Sequence, residues 1–574
     1  MKFSEILKVN SELGEKKLGK KFSVAVLSNI ITSQLGPVIE YTLRQNGLFG
    51  KCMHGDYDNI VQDCHKYSDN DLVLIVWEAS NFVDGFQYKA DLLSENEIDN
   101  LIQRVKTEID FVFEALQNTS SIVITRFSSM VFNHNFILKN KFDYVCDILN
   151  QYLEKKATQN CLLLDIDKIL VKLSIEKSVD FRNFYSSKSL YTSDFFIELS
   201  RFIYPYVASV TGKTKKALIF DCDNTLWSGV VGEDGLEGIK MSSKDPKGVV
   251  FEEVQCLAKY LSDKGIIIGL NSKNNHVDVM DVFTKHKDIS LSINQILIKK
   301  INWNDKVSNL KEISNELNIG IDSLVFVDDS DFEINLVQQL LPMVKTVQVP
   351  AETYKFPELL RKQMQLFFSN IISQEDSSRL QMYKEQEVRD NEKQSFENIH
   401  DYVRSLDLAL KIFKDPINLV SRIAQLTQKT NQFNLTTKRY TENDISHFVN
   451  SKTHHVFVFS LTDKYGDYGI TGEAIIEIKD KIAFIDTFLM SCRVIGRNVE
   501  KRFFQELIHY LKEKGIEKIK ASFLSTPKNH QVKNFYDEIG FQIESTNGDD
   551  TNYVILIDDF KSININYIKV TYEG

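Results

Sequence analysis

No apolar run in the chain approaches the ~18–20 residues that a membrane-crossing helix needs. Basic residues are not in surplus either. With 69 Lys and Arg against 79 Asp and Glu, the net charge is −10, which argues against a nucleic-acid or membrane-surface binder. The seven cysteines, among them Cys222, Cys256 and Cys492, are scattered and form no CxxC pair. That excludes a disulfide frame or a zinc site as the organising device and points to free thiols in a reducing compartment. The first residues, MKFSEILKVNSELGEKK, contain no apolar h-region, so no secretory signal is expected. There is no internal repeat and no low-complexity tract. A soluble, cytoplasmic, multidomain protein is the expectation, because 574 residues exceed what one core supports.

What is present falls into blocks. In the first, the apolar runs SVAVLSN (23–29), DLVLIVWE (71–78), SIVITRF (121–127) and CLLLDID (161–167) alternate with helical patterns such as 96–117. Continuous apolar strands separated by helices imply a parallel sheet covered on both faces. The second block repeats the rhythm in KALIF, IIIGLN, QILIKKI, SLVFVDD and VKTVQV, and predicts a second doubly wound domain over 211–372. A charged stretch, 373–406, reads as an exposed helical connector. In the last block, 407–574, consecutive long strands joined by short turns predict an antiparallel, α+β arrangement.

The second block carries phosphoryl chemistry. Ligands in parallel α/β sheets bind beyond the carboxyl ends of the strands. Four such segments carry matching groups: Asp221 and Asp223 with Thr225, then Ser272, then Lys306, then Asp328 and Asp329. A carboxylate can attack phosphorus and form an aspartyl-phosphate. A second acid two residues on can protonate the leaving oxygen and then activate water. Acids so crowded need a hard cation among them, and Mg²⁺ with a substrate phosphate is the natural choice. A lone DxD is more often a helix cap; four matched segments in order reverse that preference.

This order, DxDxT, S, K, DD, resembles the haloacid dehalogenase (HAD) superfamily. The resemblance implies a Rossmann-like fold with Asp221 as nucleophile and Asp223 as acid/base. Thr225, Ser272 and Lys306 would bind phosphate. Asp221 and Asp223 with Asp328 or Asp329 would bind metal. Asp221 and Ser272 are 51 residues apart, and Ser272 and Lys306 are 34 apart, so neither gap has room for a large cap domain. An open site is expected. TGKT (211–214) is a decoy: a P-loop needs Gly where Val207 stands, and it follows a strand rather than preceding one.

In the third block SCRVIGRNVEKRFF (491–504) leaves an apolar strand and opens a helix. Backbone N–H groups at a helix start can hold a pyrophosphate. With NHQVKNFYDEIGF (529–541), this resembles the GNAT acyltransferase fold and its coenzyme A loop, Asn498 standing where that loop has Gly or Ala. The resemblance puts Arg493, Gly496, Arg497, Asn529 and Tyr536 around a pantetheine or coenzyme A arm. Cys492 stands just before the loop; a thiolate is the reactive form, and a helix N-terminus favours it. The polar run 422–441, with Asn431, Gln432, Asn434, Thr436 and Thr437, and the Gly-rich DKYGDYGITG (463–472) read as binding surface.

Taken together, DCDNTLWSGVVGEDG, KTNQFNLTT, GDYGITG and SCRVIGR resemble the FkbH-like family over nearly the whole chain. That resemblance implies an N-terminal SGNH-hydrolase-like, flavodoxin-like three-layer α/β domain (1–180), a capless HAD domain and a GNAT-like α+β domain. It implies removal of phosphate from D-1,3-bisphosphoglycerate and loading of a glyceryl unit, through Cys492, as a thioester on the phosphopantetheine arm of an acyl carrier protein. The alternative is a phosphatase fused to a coenzyme A-dependent N-acyltransferase acting on an amino sugar or amine. The first block offers Ser28 after its first strand, but no D-x-x-H occurs near 165–190, so hydrolysis by a Ser-His pair is unsupported and a docking or structural role is expected.

Overall fold

The computed structural model describes residues 2–17, 19–133, 137–369, 389, 396, 398–526 and 528–573. The chain forms two compact units, 1–210 with 440–445, and 211–439 with 446–574.

The first unit is built on five parallel strands, β1 (Lys20–Ser28), β2 (Leu48–His54), β3 (Leu72–Val76), β4 (Ile122–Thr125) and β5 (Cys161–Leu164). They run in the order β2-β1-β3-β4-β5, with all pairs parallel. β3 and β4 are buried at every position, as strands covered on both faces must be. β2 is the one strand the apolar runs do not announce. Its residues, LFGKCMH, lie at the sheet edge and are only partly buried.

The second unit contains two sheets. The first has the parallel strands β6 (Ala217–Phe220), β7 (Ile267–Ser272), β8 (Ile296–Ile301), β9 (Leu324–Asp328) and β10 (Lys345–Gln348), in the order β10-β9-β6-β7-β8. Alternation along β6 shows how it is held. Leu218 and Phe220 pack on one face with Val254 and Ala258, while Ala217 and Ile219 pack on the other with Leu310 and Ile313. Each such side chain contributes about 1.5–3 kcal/mol on burial. With helices on both faces, the sheet exposes only its strand ends for chemistry.

The other sheet has nine strands. They are β11 (Ala409–Lys414), β12 (Phe433–Asn434), β13 (His454–Asp463), β14 (Gly466–Lys479), β15 (Ile482–Met490), β16 (Lys518–Phe523), β17 (Gln542–Asn547), β18 (Asp550–Leu556) and β19 (Lys569–Glu573). Most neighbours are antiparallel, but β15 and β16 are parallel. One face of the sheet and the helix Val499–Glu513 enclose a large aromatic core that includes Phe459, Phe488, Phe503 and Phe504.

The charged stretch 373–406 lies largely outside the described residues, and the part that is described is not an exposed connector. Arg389 is 1% exposed and pairs through two nitrogens with Asp463 at 2.8 and 2.9 Å. Tyr402, Val403 and Leu406 are buried in the aromatic core. Charge density hid this, because one bidentate arginine pair neutralises itself on burial.

Candidate functional site

Asp221 follows the last residue of β6, Ser272 and Asp328 are the last residues of β7 and β9, and Asp329 is next in chain. Lys306 begins the helix Lys306–Glu316, which Asp305 caps by accepting the Ser308 N–H. The carboxyl ends of neighbouring strands thus bring together groups separated by up to 108 residues of sequence. Lys306 Nζ stands 3.1 Å from Asp221 Oδ1 and 2.6 Å from Asp328 Oδ2. The Ser272 hydroxyl bonds to Asp221. Asp221, Ser272, Lys306 and Asp328 are all buried, and Thr225 is buried beneath them with no partner for its hydroxyl.

Asp223 departs from the expected metal set. Its side chain is not in the cluster of carboxylates, which contains Asp221, Asp328 and Asp329 only. Instead Oδ1 accepts from Trp227 Nε1 at 2.8 Å and from the Val231 N–H at 3.0 Å, and Oδ2 accepts from Asn274 Nδ2 at 2.7 Å. The loop after the DxDxT segment exists to hold this acid: Trp227 is fully buried, and its ring N–H fixes the carboxylate. These three donors fix the orientation of the Asp223 carboxyl.

A second polar network positions Lys306. Asn271 Nδ2 donates to the Lys306 carbonyl at 3.0 Å, and Asn309 Nδ2 donates to Asn271 Oδ1 at 3.0 Å. Asn271, Asn274, Asn309 and Trp227 are therefore site residues that sequence reasoning did not single out. IIIGLNSKNN, with three asparagines at a strand end, carried a signal for Asn271 and Asn274, and DCDNTLWSGVVGEDG one for Trp227; Asn309 had none. Asn274→Ala should lower kcat on a phosphomonoester by roughly 10–100-fold with little change in KM, since it orients the proton-transfer group rather than the substrate. A rise in KM alone would instead assign Asn274 to binding.

The electrostatics define what the site can hold. One carboxylate oxygen each from Asp221, Asp328 and Asp329 lies within 4.8 Å of the others. Burial pushes the Asp221, Asp328 and Asp329 carboxyls up, and Asp221 adds repulsion on the other two. Asp221 and Asp328 in turn hold Lys306 protonated, against its burial. One ammonium among three acids leaves a deficit of positive charge. An all-oxygen, acidic donor set of this kind fits a hard divalent cation such as Mg²⁺.

A pH dependence follows. Between the ordinary carboxylate value of ~3.9 and the raised native values, the folded chain holds more protons than the unfolded one. Stability of the metal-free protein therefore falls as pH rises through that window. Mg²⁺ should raise the melting temperature clearly at pH 8 and little at pH 5, with about 2.7 kcal/mol of stabilisation at one hundred times its Kd. Differential scanning fluorimetry with and without Mg²⁺ measures this; equal shifts at both pH values would remove the three acids as its site.

The third sheet treats the expected pantetheine residues differently. β15 and β16 pair only from Ile482–Lys518 to Ile485–Ala521 and then part. Beyond that point β15 keeps its pairing with β14 on one edge, through Gly472 and Met490. Its other edge is taken by the chain itself. Phe433 and Asn434 pair with Met490 and Leu489, and the Leu435 N–H donates to the Phe488 carbonyl at 3.1 Å. The Leu524 N–H, just past β16, donates to the Leu435 carbonyl at 2.8 Å. The Thr436 hydroxyl donates to the Asp486 carbonyl at 3.0 Å. Residues 433–436, read from sequence as binding surface, are thus a strand-like wedge that closes the opening between β15 and β16.

Asn529 serves this wedge. It is fully buried; Nδ2 donates to the Asn434 and Leu524 carbonyls, both at 2.9 Å, and Oδ1 accepts from the Thr526 N–H at 2.8 Å. Tyr536 is 1% exposed, ringed by Phe504, Phe541 and Tyr553, with burial holding its phenol far above the ordinary value. Arg497 is also buried, its guanidinium 5.1 Å from the Tyr468 ring centre and donating to the Arg493 carbonyl. The wedge takes the polar atoms of Asn529, Arg497 donates within its own turn, and the buried Tyr536 hydroxyl has no partner. Gly496 is exposed, with φ +83° and open space where a Cβ would stand. Its requirement is the left-handed turn, not a close approach.

Cys492 and Arg493, in contrast, line a cavity of about 800 Å³. The Cys492 carbonyl accepts from Asn318 Nδ2 at 3.0 Å, in the loop before β9. In the first unit, Ser28 Oγ donates to the Val76 carbonyl at 2.8 Å and accepts from the Ile30 N–H at 3.1 Å, so this hydroxyl is spent on backbone. No helix among the described residues is long and apolar enough to cross a membrane.

No protein-family model matches the sequence. No curated protein matches it either. Among solved structures, the N-terminal part of the protein BF1531 from Bacteroides fragilis, containing a phosphatase domain complexed with Mg, matches with a TM-score of 0.57 at 24% identity. The match covers 64% of this chain and 99% of that one, and at this identity it establishes a shared fold. The ribosomal-protein-S18-alanine N-acetyltransferase from Escherichia coli matches at a TM-score of 0.21 and 13% identity, over 27% of this chain and 98% of that one. The PaiA N-acetyltransferase from Thermoplasma acidophilum, in complex with coenzyme A, gives 0.19 and 16%, over 26% and 98%. Likenesses that slight carry no weight beside the sheet topology itself. The chain is a multidomain α/β protein with two parallel sheets and one mixed sheet, sharing the fold of a phosphatase-containing protein.

Proposed function

We propose that the protein is a Mg²⁺-dependent, HAD-type phosphatase coupled to acyl transfer, one that removes phosphate from a small phosphorylated metabolite and loads its acyl unit as a thioester on an acyl carrier protein. The observation that carries the first half is the cluster of buried Asp221, Lys306 and Asp328 with the more exposed Asp329 beside them. In the first step Asp221 attacks phosphorus, the bond to the ester oxygen breaks, and Asp223 gives that oxygen a proton. In the second, water activated by Asp223 attacks the aspartyl-phosphate and frees phosphate. Lys306 and Ser272 hold the phosphoryl oxygens. Asp221, Asp328 and Asp329 would hold the metal, which when bound would supply positive charge to offset the phosphoryl group.

Support for the second half is the place of Cys492 in a cavity, next to the turn that opens the helix Val499–Glu513. The FkbH-like pattern names the acyl unit as glyceryl, from D-1,3-bisphosphoglycerate. The rival reading is a coenzyme A-dependent N-acyltransferase acting on an amino sugar or amine. Its arm has the same pantetheine chemistry, so the wedge at 433–436 and the burial of Asn529 and Tyr536 bear equally on both readings. Purified protein given labelled 1,3-bisphosphoglycerate, Mg²⁺ and a phosphopantetheinylated carrier should release phosphate and label the carrier. Consumption of acetyl-CoA with an amine, and no acyl adduct on protein or carrier, would reverse the choice.

A further inference from the structure

The cavity beside Cys492 does not belong to the Asp221 centre. It is lined by Lys215 and Lys216, which precede β6, by Ile266 and Ile267 at the start of β7, and by the loop before β9. These are the amino ends of the strands whose carboxyl ends carry Asp221, Ser272 and Asp328. Five residues separate Lys216 from Asp221, ~17 Å along an extended strand. Ligands of parallel sheets gather at the carboxyl ends, so a chamber of about 800 Å³ at the opposite ends needs its own explanation.

Its walls are chemically uneven. Five lysines, Lys215, Lys216, Lys264, Lys429 and Lys528, and two arginines, Arg422 and Arg493, line it, against a single acid, Asp322. That acid is already used: Lys528 Nζ pairs with Asp322 Oδ2 at 2.5 Å. Lys215 Nζ reaches the Asp322 carbonyl at 2.6 Å, a neutral partner. Burial, helped by Lys528 and Lys345, pulls the Lys215 ammonium below its ordinary value. Ile319, Met343, Met364 and Phe367 add apolar surface to the same lining. Two ties fix the chamber across its walls, Asn318 to the Cys492 carbonyl and Asp322 to Lys528. A lining that joins basic and apolar groups suits an anionic group joined to an uncharged body.

We propose that this cavity is a second phosphate site, independent of the Asp221 centre, which binds a phosphate-bearing molecule with its phosphate against Lys215, Lys216 and Lys528 and its uncharged body running along the apolar part of the lining toward Cys492. It rests on the reading above only for the chemistry of Cys492, not for the binding itself. The phosphate could come from a free small metabolite or from a phosphopantetheine arm, and the two sources are separable by experiment.

The test is alkylation of Cys492 by iodoacetamide in the full chain without metal, followed by peptide mass spectrometry, with exposed Cys256 as the internal control. The probes are inorganic pyrophosphate, S-methyl-4′-phosphopantetheine and S-methylpantetheine. At ten times its Kd a bound probe should slow Cys492 alkylation by about tenfold. The phosphopantetheine probe should protect and the dephosphorylated one should not, with Cys256 unaffected. Protection by pyrophosphate but not by the phosphopantetheine probe would assign the site to a free small phosphate; protection by both would admit the arm. Lys215→Gln and Lys528→Gln should each raise the half-protecting concentration about tenfold, the loss of one charged contact. Since Lys528 also pairs with Asp322, Lys264→Gln is the control variant: Lys264 is exposed, and a smaller rise with unchanged melting temperature is expected. Equal protection by the two pantetheine probes, or protection unchanged in Lys215→Gln and Lys528→Gln, overturns the proposal. So does loss of protection in Asp221→Asn, which would move the phosphate to the other end of the sheet. Failure of Asp221→Asn to stop phosphate release, with protection intact, would overturn only the phosphatase reading.

Discussion

Asp221→Asn should stop phosphate release from a generic phosphomonoester, and release of the ester phosphate of the proposed substrate, by a factor of ~10³ or more, while attack of Cys492 on the acyl phosphate still expels one phosphate per adduct and the protein folds and melts no lower than the wild type. The loss follows from chemistry: an amide nitrogen carries no charge to attack phosphorus and cannot form the aspartyl-phosphate. The retained stability follows from the electrostatics. Asp221 is 6% exposed, and burial raises its carboxyl despite Lys306 at 3.1 Å. Removing that charge relieves its repulsion on Asp328 and Asp329. The two measurements separate the roles, because a residue needed only for packing would lose both activity and melting temperature. Lys306→Met gives the opposite stability result. Asp221 and Asp328 would be left buried without their cation, a change that costs about 3–5 kcal/mol for a buried pair broken on one side. Added Mg²⁺ should restore part of that loss.

The strands of the parallel sheets were mostly legible because each is a continuous apolar run, which only a strand covered on both faces needs. β2 was not, since an edge strand with Gly50 and Lys51 in it carries no such run. The acids and Lys306 were legible because each sits at the end of one of those runs, where a parallel sheet exposes polar groups. What holds them was not. Asn274 is 51 residues from Asp223, and Asn309 is 38 from Asn271, so nothing local marks these pairs. The turning of Asp223 toward Trp227 was equally hidden, because DxD spacing says nothing of side-chain direction. The wedge at 433–436 was misread for a related reason. A polar run rich in Asn and Thr reads as surface, and here those groups bond to strand edges inside the sheet. Tyr536 and Asn529 occupied positions with a familiar order in sequence, but order does not report that the first is sealed among aromatic rings.

Cys492→Ala should abolish any acyl adduct on the protein and any transfer to a carrier, yet leave phosphate release from a generic phosphomonoester within about twofold of wild type. The cavity that Cys492 lines and the Asp221 centre lie at opposite ends of β6, which spans ~17 Å from Lys216 to Asp221, so the effects of the two substitutions should add. The contact between Asn318 and the Cys492 loop is through a backbone carbonyl, which the substitution preserves. The double variant Asp221→Asn with Cys492→Ala should therefore show each single loss unchanged. The coupling, if both sites serve one substrate, lies in the order of events and not in shared groups. With phosphate at the cavity's basic groups, wild-type protein should form the Cys492 adduct before phosphate is lost at Asp221, and Asp221→Asn should accumulate a phosphorylated adduct of higher mass. Intact-protein mass spectrometry reads that difference directly. An adduct that forms in Asp221→Asn without its phosphate would mean that dephosphorylation precedes acylation or occurs elsewhere, and no adduct at all in wild type would remove Cys492 from the reaction.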